Sequence, residues 1–356
     1  MSDNGTQGEG ALKKGALVLS IDTELAWGAV HHGSAPEAYP HWRDYDRVRP
    51  AVDRLLAAMD RYDISCTWAV VGHLMLDRCE PVGGVKHPEL KRPAYSWFKQ
   101  DDWFYADPAS SASEAPKWYG PDVISKIRGA KTKHEIGSHT FSHMIIGDPG
   151  CSAEVFSSDL DAHISLANKA GIKLESFVYP KNRVGHAGEL AARGFTCYRT
   201  SERPWYSRFS GRMYGLAYKA DIFTPVPPPV TFPRSRGGVW ELPASYYYRI
   251  GGGWASRQPM AVRRWKLRLG LRRAAARKGM LHIWFHPYDI AGDIERLMPP
   301  LEATFKEAAK LRDAGKLDVL TMGEVARRMS SPATAGAAAV NGKTAVAAAG
   351  QAATPR

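Results

Sequence analysis

The stretch A-L-V-L-S-I-D-T-E, residues 16–24, sets the reading of the whole chain. It is a short apolar run that ends in carboxylates, the pattern of a strand buried on both faces that delivers Asp22 at its C-terminal end. Working outward, residues 49–62 place Val52, Leu55, Leu56 and Met59 on one helical stripe, and S-C-T-W-A-V-V at 65–71 reads as a second buried strand. The chain therefore opens as a β-α-β unit. The alternation continues with strand 135–138, helix 153–170, strand 176–179, helix 187–193 and strand 195–199. After a loop-rich 206–248 come helix 259–278, strand 280–285, helix 301–314, strand 317–320 and helix 324–329. The predicted fold class is α/β.

The 356 residues are 44% apolar and 24% charged, enough for one large core or two ordinary ones in a soluble globular protein. No run approaches the roughly 18 apolar residues of a membrane span, and the polar, Gly-rich residues 1–10 do not read as a signal peptide, so a cytoplasmic location is expected. Residues 1–10 read as a flexible N-terminus and the Ala- and Gly-rich 331–356 as a disordered tail, flanking a domain at 11–330. Residues 80–120 are rich in Pro, Trp and Ser without a steady period, too long for an ordinary connection, and read as a substrate-side insertion. Its Trp97, Trp103, Phe104, Trp118 and Tyr119 suit packing onto the body, with stacking on sugar rings as the alternative.

Cys66, Cys79, Cys151 and Cys197 show no C-x-x-C spacing, which suggests neither a zinc knuckle nor a disulfide framework. The net charge of +12 is concentrated in residues 242–288, which lack Asp and Glu but carry many Arg and Lys. A solvated helix face and a surface for an anionic partner are equally open readings of such a block. In 259–278, Val262, Trp265 and Leu269 make an apolar stripe beside the basic residues, a pattern suited to peripheral contact with anionic membrane. No recognised motif for nucleic acid accompanies it, so none is expected as a partner.

The chemistry-bearing motif is H-E-I-G-S-H-T-F-S-H at 134–143, in which His139 and His143 stand four apart. On a helical turn, side chains at that spacing share a face and can converge on one cation, and Gly137 and Ser138 before them make a plausible strand-to-helix turn. Two neutral imidazoles want an anionic third ligand, and Asp22 and Glu24, two apart in an extended segment, can face the same way. Near the end of the domain, L-H-I-W-F-H-P-Y puts His282, Trp284 and His286 on one strand face. His286 at the strand end is placed as a general acid, while the more internal His282 suits a supporting role.

In order and spacing these three motifs resemble those of the polysaccharide deacetylases, the NodB-homology family or carbohydrate esterase family four, over roughly residues 11–329. The wording S-I-D-T-E-L-A-W-G and Y-P-K-N-R-V-G resembles a branch associated with bacterial surface-polysaccharide biosynthesis. The resemblance implies a distorted (β/α) barrel of the NodB type, one divalent metal ion, zinc, and release of acetate from an N-acetylated amino sugar. That sugar would belong to a surface glycan or its lipid-linked precursor, which would place the protein peripherally at the inner membrane. Asp22 matches the family's catalytic base, whereas Thr23 occupies the usual metal-ligand position, so Glu24 is expected to replace it beside His139 and His143. Val178 stands where the family carries an Arg, leaving Lys181 or Arg183 to reach the base or to contact substrate or solvent. Glu202 and Trp205 lie where the family has an Asp and a Trp that orient the acid histidine and wall the acetyl pocket, and Trp284 replaces a Leu. Two other functions stay open: amide hydrolysis of a small non-sugar substrate, and glycan binding by a catalytically degenerate site.

Overall fold

The opening strand is buried over its whole length because it lies in the middle of a sheet, with neighbours on both edges. A computed structural model describes residues 12–250 and 252–331, so the expectations for residues 1–10 and for the tail beyond 331 lie outside the described residues. The elements run β1 (Gly15–Thr23), α1 (Val48–Tyr62), β2 (Thr67–Val70), α2 (Pro121–Gly129), β3 (Glu135–Ser138), α3 (Ala153–Lys169), β4 (Ser176–Val178), α4 (Ala187–Ala192) and β5 (Cys197–Thr200). They continue with α5 (Gly211–Phe223), β6 (Arg234–Arg236), β7 (Val239–Pro243), β8 (Tyr246–Tyr247), α6 (Met260–Arg277), β9 (Met280–Phe285), α7 (Pro287–Ala291), α8 (Ile294–Asp313), β10 (Leu317–Leu320) and α9 (Met322–Ser330).

The sheet order is β6-β7-β5-β4-β3-β2-β1-β9-β8, with β10 on the first half of β1, and every pairing except β6 with β7 is parallel. Closure comes from one run of chain. Residues 239–243 pair with β5, then the Ala244 N–H donates to Thr200 O at 2.9 Å and the Ser245 N–H to His282 O at 2.7 Å, carrying the run across to β9. The result is a distorted (β/α) barrel, as expected from the sequence. Alternation along the strands then sorts side chains into two layers. Leu17, Leu19 and Ile21 face outward into the core beneath the helices. Ala16, Val18, Ala69, Val178, Cys197, Leu242 and Met280 share an inner cluster with Met322, Val325 and Met329 of α9. That helix packs at the N-terminal ends of the strands, which leaves the C-terminal ends for chemistry.

Three local expectations are corrected. Residues 206–248, read as loop, contain α5 and β6 to β8; α5 buries only Ala217 and so writes no apolar stripe into the sequence. The helix expected from 301 begins at 294 and carries Pro299 and Pro300 inside it. In α6 the stripe is not Val262, Trp265 and Leu269. The helix buries Arg263, Lys266, Leu267, Gly270, Leu271 and Ala274, while Trp265 is 53% exposed. Lys266 pairs with Asp221 at 2.7 Å and Arg263 donates to Gln258 and to the Arg249 carbonyl, so two of the charges that looked solvated are internal. In the insertion Trp103, Phe104, Trp118 and Tyr119 are buried against the body, and Trp97 is partly exposed.

Candidate active site

At the C-terminal ends of the strands a cavity of about 380 Å³ is lined by Asp22, Glu24, His139, His143, Trp284 and His286, together with Tyr39, Lys181, Asn182, Tyr247 and Tyr288. The first carboxylate arrives on the last inward position of β1. The second follows in the turn where the strand breaks, with Glu24 at φ −122° and ψ −19°. Thr23 between them turns away, its hydroxyl donating to Ile21 O at 3.4 Å. Gly28 backs Glu24 so closely that a Cβ there would lie 2.2 Å from Glu24 Oε1.

His139 and His143 do converge, but not on a helical turn. They sit in a loop after β3 in which Thr140 and His143 adopt left-handed φ values of 64° and 61°. Asp159 of α3 ties that loop down, accepting from the N–H groups of Phe141 at 2.6 Å and Ser142 at 3.0 Å and from the Ser142 hydroxyl at 2.6 Å. Glu24 Oε2 lies 3.3 Å from His139 Nε2 and 2.8 Å from His143 Nε2, and the three ligand atoms fall within 4.8 Å of one another. His139 Nδ1 donates to the Val178 carbonyl at 2.7 Å, which leaves the Nε2 lone pair pointing at a carboxylate oxygen. Two lone-pair-bearing atoms facing each other in a buried place suit a cation between them, so the donor set fits a divalent metal.

Asp22 takes its partner from β5. Arg199, fully buried, donates to both carboxylate oxygens at 2.6 Å and is steadied by Ser20 at 3.0 Å and Asn182 at 3.1 Å. Burial would raise the Asp22 pKa, but Arg199, with His139 and His286, outweighs it and holds the group below its ordinary 3.8. Arg199 thus supplies the contact for which Lys181 and Arg183 were candidates. Lys181 lines the cavity, whereas Arg183 is largely exposed and paired with Asp148 at 3.0 Å. From the same Y-P-K-N-R motif it is Asn182 that reaches the arginine.

His286 is oriented by Asp289, three residues on. Its Nδ1 lies 2.8 Å from Asp289 Oδ2, its backbone N–H donates to the same oxygen at 2.9 Å, and the Tyr247 hydroxyl is 3.0 Å from Nδ1. This fixes Nε2 toward the cavity, 3.5 Å from Glu24 Oε1 and 4.0 Å from Asp22 Oδ2. Burial would lower its pKa, but Glu24 and Asp289 raise it to about 9. Glu202 therefore does not orient this histidine; it accepts from Trp284 Nε1 at 2.9 Å. Trp284 stacks on Tyr247 at 3.8 Å with the Arg199 guanidinium over its ring at 4.3 Å. Trp205 donates to Asp221 at 2.7 Å and lines a neighbouring cavity of about 240 Å³, which Tyr247 separates from the first. His282 lies below, buried, with Nε2 2.9 Å from the Ser20 hydroxyl that supports Arg199.

Neither Arg199 nor Asp289 was singled out from sequence. Arg199 looks like any basic residue near a strand end until the fold places it opposite Asp22. Asp289 carried a usable signal, because Asp three residues after a helix N-cap is the pattern of a capping box, here H-P-Y-D.

No protein-family model and no curated protein matches the chain. A solved structure described as a polysaccharide deacetylase from Mycobacterium smegmatis is similar with a TM-score of 0.53 at 15% identity, over 88% of this chain and 90% of that one. One from Pseudomonas aeruginosa PAO1, also described as a polysaccharide deacetylase, gives 0.51 at 15% identity over 88% and 90%. Puue allantoinase gives 0.52 at 13% identity over 88% and 89%. The chain therefore has the barrel fold of these proteins.

Proposed function

We propose that this is a polysaccharide deacetylase of the NodB-homology type, a metal-dependent hydrolase that removes the N-acetyl group of an amino sugar and releases acetate. The substrate we assign is a bacterial surface glycan or its lipid-linked precursor. The reading is carried by the meeting of Glu24, His139 and His143 on one point, between the Asp22–Arg199 pair and the His286–Asp289 pair. Glu24, His139 and His143 would hold a divalent cation, zinc by ligand type, which when bound supplies Lewis acidity toward the amide carbonyl and the attacking water. Asp22, kept ionised and aimed by Arg199, takes the water's proton. His286, whose pKa Glu24 and Asp289 raise, would present its Nε2 proton to the departing amine from the other wall. Trp284, Tyr247, Tyr39 and Tyr288 offer aromatic surface for the acetyl methyl and the sugar ring.

The test is release of acetate from N-acetylated oligosaccharides and from lipid-linked N-acetyl sugars by the purified protein. His139→Ala is expected to lose the ion held by Glu24, His139 and His143 together with turnover. Full activity in a metal-stripped His139→Ala protein would refute the assignment, and tight metal binding with no acetate from any N-acetylated glycan would favour a degenerate binding protein. The exposed Trp265, with Arg268 over its ring at 5.3 Å, supports peripheral contact of α6 with anionic lipid. No helix among the described residues is long and apolar enough to cross a membrane. Flotation with anionic liposomes that weakens in Trp265→Ala is the expected result; no binding at low salt would rule the contact out.

A further inference from the structure

A second group of metal-binding side chain types meets away from the cavity. His73 lies in the 3-10 turn Gly72–Met75 after β2, Cys79 and His87 follow, and Asp107 comes from the insertion. Their four ligand atoms lie within 4.8 Å of one another, and none of the side chains is more than 9% exposed. His73 Nε2 is 3.2 Å from Asp107 Oδ2, and His87 Nε2 is 3.5 Å from that oxygen and 3.2 Å from Cys79 Sγ. Ligands on a tetrahedral zinc with bonds of about 2.0–2.3 Å stand about 3.3–3.8 Å apart, so separations of 3.2, 3.5 and 3.2 Å need only small side-chain adjustments to become those of a four-coordinate site.

The surroundings aim the groups at one another. Asp107 Oδ1 is occupied by the Ala109 N–H at 3.0 Å and the Tyr119 hydroxyl at 3.2 Å, which leaves Oδ2 for the imidazoles. Glu89 stands 3.4 Å from His87 Nδ1, an acceptor that favours the proton on that nitrogen and a lone pair on Nε2. His87 itself is held at a left-handed φ of 47°, an unfavourable conformation that persists only where surrounding contacts fix it. A thiolate and a carboxylate would also balance a divalent charge, so the filled site would be neutral in a place with little water.

We propose that His73, Cys79, His87 and Asp107 form a structural zinc site that fastens the insertion to the barrel. With four protein ligands the site is closed, which distinguishes it from a centre that must admit substrate. It also underlies the catalytic loop: the His73 N–H donates to the Phe141 carbonyl at 2.9 Å, and the rings of His73 and His87 pack on Phe141 at 5.7 Å and 5.3 Å. The proposal stands on its own geometry and does not depend on the deacetylase reading.

The experiment is elemental analysis combined with cobalt substitution of the full chain. Glu24, His139 and His143 include no thiolate, so a sulfur-to-cobalt charge-transfer band reports on Cys79 alone. His139→Ala protein is expected to retain one zinc and, with cobalt, to show the band; Cys79→Ser is expected to lose both the band and one ion relative to wild type. A His139→Ala protein with no bound ion and no band overturns the proposal, as does a wild-type protein whose cobalt form lacks the band. If Cys79→Ser fails to fold, the wild-type and His139→Ala measurements decide by themselves.

Discussion

In the proposed reaction, Arg199 would determine whether Asp22 is available as a base. A carboxylate this deeply buried would be protonated near neutrality without a compensating charge, and the two 2.6 Å bonds from the guanidinium supply it. Replacing Arg199 by Met removes that charge and leaves the carboxylate uncompensated, at a stability cost of about 3–5 kcal/mol above the carboxylate's new pKa. The acid limb of kcat/KM should move to higher pH, and Arg199→Lys, which restores charge without the fork, should recover part of the displacement. An unmoved acid limb would show that Asp22 is not the titrating base. His286 works with the opposite sign, since Asp289 and Glu24 favour its charged form. Asp289→Asn keeps an acceptor but loses the charge, so the alkaline limb of kcat should move to lower pH while the acid limb stays in place. Identical alkaline limbs in the two proteins would exclude His286 as the acid.

At the scale of elements, the loop 139–143 depends on α3. Three donors from Phe141 and Ser142 end on Asp159, whose pKa burial raises to about 6 despite them. Asp159→Ala strands those donors at about 1–3 kcal/mol each and frees His143 to move, so metal affinity at Glu24, His139 and His143 should fall about 10–100-fold by titration with zinc. An affinity equal to wild type would mean that the left-handed turn holds itself. The convergence of the two histidines was legible in their spacing, but its cause was not, because i,i+4 spacing predicts a helical turn and the chain uses two left-handed residues instead. Strands 135–138, 280–285 and 317–320 were legible to the residue, the second from its own largely apolar run and the other two from their places in the alternation of strands and helices. The extent of α6 was legible to within a residue at each end, but its buried face was not, because Lys266 finds its acceptor in Asp221, 45 residues away, Arg263 finds its own in the irregular segment before the helix, and sequence periodicity counts every charge as exposed. The residue pairs that complete the site divide the same way. Asp289 lies within its own element's cap, while Arg199 meets Asp22 only once β5 and β1 share a barrel interior.

At the scale of the molecule, closure of the barrel by residues 239–247 gathers Asp22, Glu24 and His286 into one buried cluster, and that makes global stability depend on pH. Burial opposes ionisation of Glu24, but His286, His143 and His139 hold its pKa well below 4.5, and Asp22 is held below 3.8. Both carboxylates therefore contribute stability that is present above those values and lost as pH falls through their lower folded ones. His286 is raised from 6.5 to about 9, so its contribution is present below 6.5 and lost as pH rises through 9; the displacement corresponds to about 3 kcal/mol. Buried His31, His134, His163 and His282, lowered from 6.5 to about 2, 4, 3 and 3, contribute stability that is lost as pH falls below 6.5, so chelator-treated protein should show its highest thermal midpoint at about pH 6.5–7.5 and a decline on both sides. Zinc held by Glu24, His139 and His143 in the folded state alone would add about 4 kcal/mol at 1,000 times its dissociation constant. It would also engage the Glu24 charge that raises the His286 pKa, so the alkaline decline should be shallower with zinc than with chelator. Midpoints that stay level from about pH 6 to 10 in chelator would separate His286 from Glu24 in solution, and with it the acid from the site that the barrel builds around it.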